Sequence, residues 1–144
     1  MITRQHDETT IPELVGKRCV ELIGVPAKGR NEILFGFLRT PQEWHRFGLD
    51  AWILFWRSDS PPDPADDLAD DRGYWDIAKR AGVAGRKLRR IEMSRNILQI
   101  QFEGGTSIVF EGNQAGDPVS HVKILEERKT VKPLRSRKIR RQLK

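Results

Sequence analysis

The sequence predicts an α+β domain: a mainly antiparallel sheet of five to seven short strands, packed by one or two short helices, with a basic C-terminal arm. Three observations predict it. Apolar runs of strand length alternate with short segments that carry helix caps. The second half shows a clean period-two alternation around a Gly-Gly pair. The last seventeen residues hold nine cations and no acid.

The elements follow in order. Residues 1–9 are polar and read as a frayed end. "TIPELVG" sets Thr10 and Glu13 at capping-box spacing, with Pro12 in the first turn and Gly16 as a stop, which predicts one short helical turn. "KRCVELIGV" fits a strand, "PAKGRN" a loop, and "EILFGFL" a second strand over about Ile33 to Leu38, apolar on both faces and therefore central. "TPQEWHRFGLD" carries the clearest helix signal. Thr40 caps, Pro41 takes the first helical position, Glu43 reaches back, Trp44 and Phe47 share a face, and Gly48 ends the element. "AWILFWR" reads as a strand.

Composition then changes. Residues 58–72 contain Pro61, Pro62 and Pro64 with Asp59, Asp63, Asp66, Asp67, Asp70 and Asp71. Proline cannot feed a ladder and the carboxylates repel, so the segment reads as an exposed, mobile acidic loop. "YWDIAKRAG" predicts a short helix stopped at Gly82. A β-meander follows. "RKLRRIEMS" turns at Arg95-Asn96, and "ILQIQFE" points Leu98, Ile100 and Phe102 inward. Gly104-Gly105 makes a tight turn, "TSIVFEG" returns, and "VSHVKIL" adds a strand. If Ile91 and Met93 are buried, simple alternation turns Arg89 inward, a conflict that leaves the register of that strand open. The domain reading is a single unit over 10–127 followed by an arm over 128–144.

The chain has 144 residues and a net charge of +6. The arm holds Arg128, Lys129, Lys132, Arg135, Arg137, Lys138, Arg140, Arg141 and Lys144. The remainder has 17 bases against all 20 acids, a net of −3. The body is therefore mildly acidic and the excess sits in an appendage. Cations gathered without competing acids displace condensed counterions from phosphates, and arginine grips phosphate in two-pronged geometry. The expected function is non-enzymatic nucleic-acid binding, largely sequence-independent, with DNA or RNA held by the arm. Arg86, Lys87 and Arg90 belong to a second cluster with Lys79, Arg80, Arg89 and Arg95, which either continues that phosphate-contacting face or compensates the acidic loop. The alternative is a small protein-binding module, of inhibitor or immunity type, acting on a basic partner through the acidic loop or a sheet face. Pairing of that loop with the arm is a further expectation.

Other chemistries find little support. Leu134, Ile139 and Leu143 form no continuous stripe, so a membrane-surface role for the arm is disfavoured. No apolar run approaches the roughly 20 residues of a membrane helix. "MITRQHDETT" lacks a signal-peptide core, and a lone Cys19 permits no internal disulfide, which together predict a reducing cytoplasm. His6, His45 and His121 are dispersed, so no metal or other cofactor is expected. His45 reads as a surface or edge residue and Cys19 as a small buried hydrophobe. There is no phosphate loop, nucleophile elbow or His-Glu-x-x-His. Asp76 and Glu92 meet two requirements of a metal nuclease, but position 94 is Ser where lysine is needed. Phe35, Gly36, Phe37 and Leu38 resemble the RNA-stacking stretch of RRM and cold-shock domains. The basic-glycine pair that precedes it there is replaced by Ile33-Leu34, and both rings read as core.

Overall fold

Long-range strand pairing, more than local helix propensity, decides this structure. The computed structural model describes residues 3–6, 8–63, 73–113 and 118–126. The basic arm over 128–144 and residues 64–72 of the acidic loop lie outside the described residues.

Among the described residues eleven strands join one antiparallel sheet. They are β1 (Thr3–His6), β2 (Thr9–Thr10), β3 (Glu21–Pro26), β4 (Glu32–Arg39), β5 (Trp44–Asp50), β6 (Ile53–Ser58), β7 (Trp75–Asp76), β8 (Leu88–Ser94), β9 (Ile97–Phe102), β10 (Thr106–Gly112) and β11 (Ser120–Glu126). Helical structure among the described residues is limited to a three-residue 3-10 turn, Pro12–Leu14, and the five-residue α1, Ile77–Ala81. The α+β expectation is thus corrected to an almost all-β fold, with more strands than the five to seven expected.

The largest correction is the helix expected after Thr40. Thr40 Oγ1 does accept from the Gln42 and Glu43 amides, both at 3.3 Å, as a cap would. The Thr40 amide, however, donates to the Glu43 carbonyl at 3.0 Å, closing a hairpin turn. The chain reverses there and β5 pairs with β4 from Arg39↔Trp44 to Gly36↔Phe47. His45, Phe47 and Leu49 point inward, a period of two, and burying them outweighs a two-turn helix. At the N-terminus the short turn expected over "TIPELVG" is this 3-10 turn, with Ile11 rather than Thr10 in the cap position. The other helix expectation holds in shortened form: Asp76 caps α1 by accepting from the Lys79 amide at 3.0 Å, and Gly82 ends it with φ 71°.

Strand β4 organises the sheet. One edge pairs with β3; the other pairs with β5 over Gly36–Arg39 and with β11 at Glu32 and Ile33. Leu34 is an extra residue opposite β3, since Val25 faces Phe35 while Pro26 faces Ile33. Such a bulge bends a strand, and here the sheet forks beside it. One branch runs β5, β6, β1, so Thr3–His6 of the end expected to fray is a paired edge strand; the other runs β11, β10, β9, β8, β2. The second branch returns to its start. The Gly16 amide donates to the Leu88 carbonyl, Leu88 to Lys17, Cys19 to Arg86 and Gly85 to Cys19, all at 2.7–2.8 Å. Val20 then joins Arg39 at 2.7 Å, so the hydrogen-bonded circuit through β3, β4, β11, β10, β9 and β8 closes.

The main core fills this circuit and the face of β5 and β6 that continues it. Leu22, Leu38, Leu88, Leu98, Ile100, Phe102 and Ile108 have no exposed surface. Phe47 stacks on Trp56, with centroids 5.3 Å apart and planes 16° from parallel, and meets Phe110 edge-on at 5.1 Å. A smaller core lies on the opposite face of β3–β5. There Phe37 is surrounded edge-on by Phe35, Trp44 and Tyr74 at 5.6–6.2 Å.

Candidate nucleic-acid interface

Four members of the basic cluster before the meander, Arg86, Lys87, Arg89 and Arg90, lie at or beside the seam where the circuit closes. An isolated antiparallel bridge sets Arg18 opposite Lys87. Arg18 Nη1 donates to the Gly85 carbonyl at 3.3 Å, across 67 positions of sequence. A bulge settles the register of β8: Leu88 faces Phe102 while Arg90 faces Gln101, so Arg89 is the extra residue. Leu88 and Ile91 therefore both reach the core while Arg89 and Arg90 both reach solvent. Arg18, Arg86, Lys87, Arg89 and Arg90 are all exposed.

The three cations expected here differ in their commitments. Arg86 Nη1 donates to Thr106 Oγ1 at 3.4 Å and lies over Gly104. It therefore helps to hold the β9–β10 turn. Arg90 pairs with Glu92 at 3.0 Å in a half-exposed ion pair. A pair of that kind contributes only about 0–1 kcal/mol, so a phosphate can compete for the guanidinium. Lys87 points to solvent and its carbonyl accepts from the Glu103 amide at 3.0 Å. Arg18 was missed by sequence reasoning, because only tertiary pairing brings it beside Lys87.

A second concentration of cations lies on the outer face of β4–β6. The Arg46 guanidinium sits 4.0 Å from the Phe35 ring centroid and 5.7 Å from that of Phe37. Arg39 lies 5.5 Å from the Trp44 ring and pairs with Glu21 at 2.6 Å. Such contacts set the guanidinium charge against the electron-rich ring faces.

Neither titratable group inside the core behaves as a reactive centre. Cys19 is fully buried, and burial, reinforced by the Asp76 and Glu21 carboxylates, pushes its thiol from 9.0 up to about 12. The thiolate is the nucleophile, so this cysteine is inert at neutral pH. His45 is not the surface or edge residue expected: only 3% of it is exposed. Burial holds its imidazole below the ordinary 6.5, against the opposing pull of Glu43 and Glu13.

No group of three or more His, Cys, Asp or Glu stands at metal-binding distance among the described residues. Nor is any helix among them long and apolar enough to cross a membrane. No family model, curated protein or solved structure matches the chain.

Proposed function

We propose that the protein binds nucleic acid without catalysing a reaction on it, through phosphate contacts that are largely independent of sequence. The observation that supports this reading is the seam. Strand closure sets Arg18 against Lys87, and the Arg89 bulge turns two successive arginines outward beside them. Like charges facing each other across strands cost stability, and a polyanion laid along the seam offsets that cost. The arm over 128–144 supplies nine further cations to the same phosphate backbone.

Fluorescence anisotropy of a labelled oligonucleotide against salt concentration tests the proposal. The full chain should show a log–log slope of about −5 to −8 on duplex DNA if six to nine cations engage. Lys87→Glu with Arg89→Glu should weaken binding for every sequence alike and reduce the slope by about two. A flat salt response, or a charge-reversed seam that binds as before, removes the proposal.

A further inference from the structure

The outer face of the β4–β6 branch contains a slot whose parts match one flat, amine-bearing ring. Gly48 on β5 lies between Phe55 on β6, its register partner, and Phe35 on β4, whose Cβ would stand 3.4 Å from a Cβ added to Gly48. The row therefore reads phenyl, gap, phenyl. Neighbouring strands are about 4.8 Å apart, so the two phenyl-bearing backbones are separated by about 9.5 Å. This gap lines a cleft of about 410 Å³, to which the bulge residue Leu34 and Pro118 also contribute.

The polar groups of the cleft are sorted by sign. In one neighbouring row Arg46 faces Arg57 across the β5–β6 pair. On the other side of Gly48, two residues along β5, the exposed Asp50 stands at the hairpin end. Cations thus lie at one end of an aromatic slot and a single carboxylate at the other. A phosphate is attracted to the Arg46–Arg57 end and repelled from Asp50, whereas an exocyclic amine is a donor that Asp50 can accept. Phe55 is 37% exposed, and the Arg46 guanidinium covers Phe35 at 4.0 Å from its ring centroid, so a base can stack on a phenyl ring at one wall and on a guanidinium at the other.

The geometry points to a binding slot for one unpaired nucleobase that carries an exocyclic amine, held over Gly48 within a single strand of nucleic acid. This deepens, and rests on, the nucleic-acid reading above: the seam takes phosphates of any strand, while the slot selects an unstacked base. A base inside a duplex is already stacked and paired, so it cannot enter.

The test uses the full chain and 5′-labelled twelve-nucleotide homopolymers of deoxycytidine and thymidine, with a duplex of equal length. The deoxycytidine strand should bind about five- to tenfold tighter than the thymidine strand. Phe55→Ala should lower single-strand affinity about tenfold and leave duplex affinity unchanged. Gly48→Val fills the slot in a conformation open to any residue and should act like Phe55→Ala. Asp50→Ala should abolish the difference between the two strands. Equal binding of both strands by the native chain, or single-strand binding indifferent to both Phe55→Ala and Gly48→Val, overturns the slot while leaving the seam intact. Absence of binding to every oligonucleotide overturns the slot and the nucleic-acid reading together.

Discussion

The indole Nε1–H of Trp56 donates to Nδ1 of His45 at 3.2 Å, inside the core between β5 and β6. This bond requires Nδ1 to be an acceptor, so the imidazole is neutral with its proton on Nε2. Nε2 is buried and has no hydrogen-bond partner among the described residues. Protonating Nδ1 would break the bond and place a charge beside the Phe47–Trp56 stack.

Stability should therefore depend on pH in a definite sense. The folded imidazole has a lowered pKa, so the unfolded chain takes up the proton first as pH falls. The His45 contribution is fully present above about pH 6.5 and is lost below it. Urea midpoints should drop between pH 7 and pH 5.5. In His45→Phe that part of the dependence should vanish, although the variant starts about 1–3 kcal/mol lower because Trp56 loses its acceptor.

Two glycines of the β4–β5 pair should respond unequally to the same change. A Cβ on Gly36 would overlap the Phe47 ring, which Trp56 and Phe110 hold in place. Gly36→Ala should cost about 1–3 kcal/mol. At Gly48 an added Cβ finds its nearest neighbour at 3.4 Å, so Gly48→Ala should fold with nearly native stability. Denaturant midpoints of the two variants decide the comparison.

The β5–β6 hairpin turns through Ala51 and Trp52 with φ of 52° and 67°, the two-residue geometry that favours Asn-Gly. Trp52 is 48% exposed, so little packing offsets the backbone strain. Trp52→Gly should raise stability by about 1 kcal/mol, measured as an increased denaturant midpoint.

Cys19 should resist thiol reagents in the native protein and react promptly once denaturant exposes it, which a chromogenic disulfide reagent will show. Its linkage has the opposite sense to that of His45. The unfolded thiol ionises near 9.0 and the folded one near 12, so stability should fall as pH rises above about 9.

Much of the second half of the fold is legible in the sequence because its signals are local. Leu98, Ile100 and Phe102 alternate inward as read, with no exposed surface, and Arg95-Asn96 and Gly104-Gly105 turn with positive φ. The first half misleads for identifiable reasons. Thr40 and Glu43 have the spacing of a helix cap, and the same hydrogen bonds also close a hairpin turn. His45 hides the alternation of "WHRFGLD", since a histidine at an inward position reads as polar. At the candidate site Lys87 and Arg90 are visible as a cluster. The Arg89 bulge and the arrival of Arg18 depend on pairings between distant segments, which no local pattern encodes. The Phe35–Gly48–Phe55 row is likewise a product of register across three strands.

The closing seam also bears on how the chain reaches its native state. Gly16–Cys19 must find Gly85–Leu88 across most of the domain before the circuit is complete, a search of high contact order that slows folding. That search ends by bringing Arg18 and Lys87, two cations, face to face. Moderate ionic strength screens their repulsion, so refolding is expected to run faster in salt than in its absence.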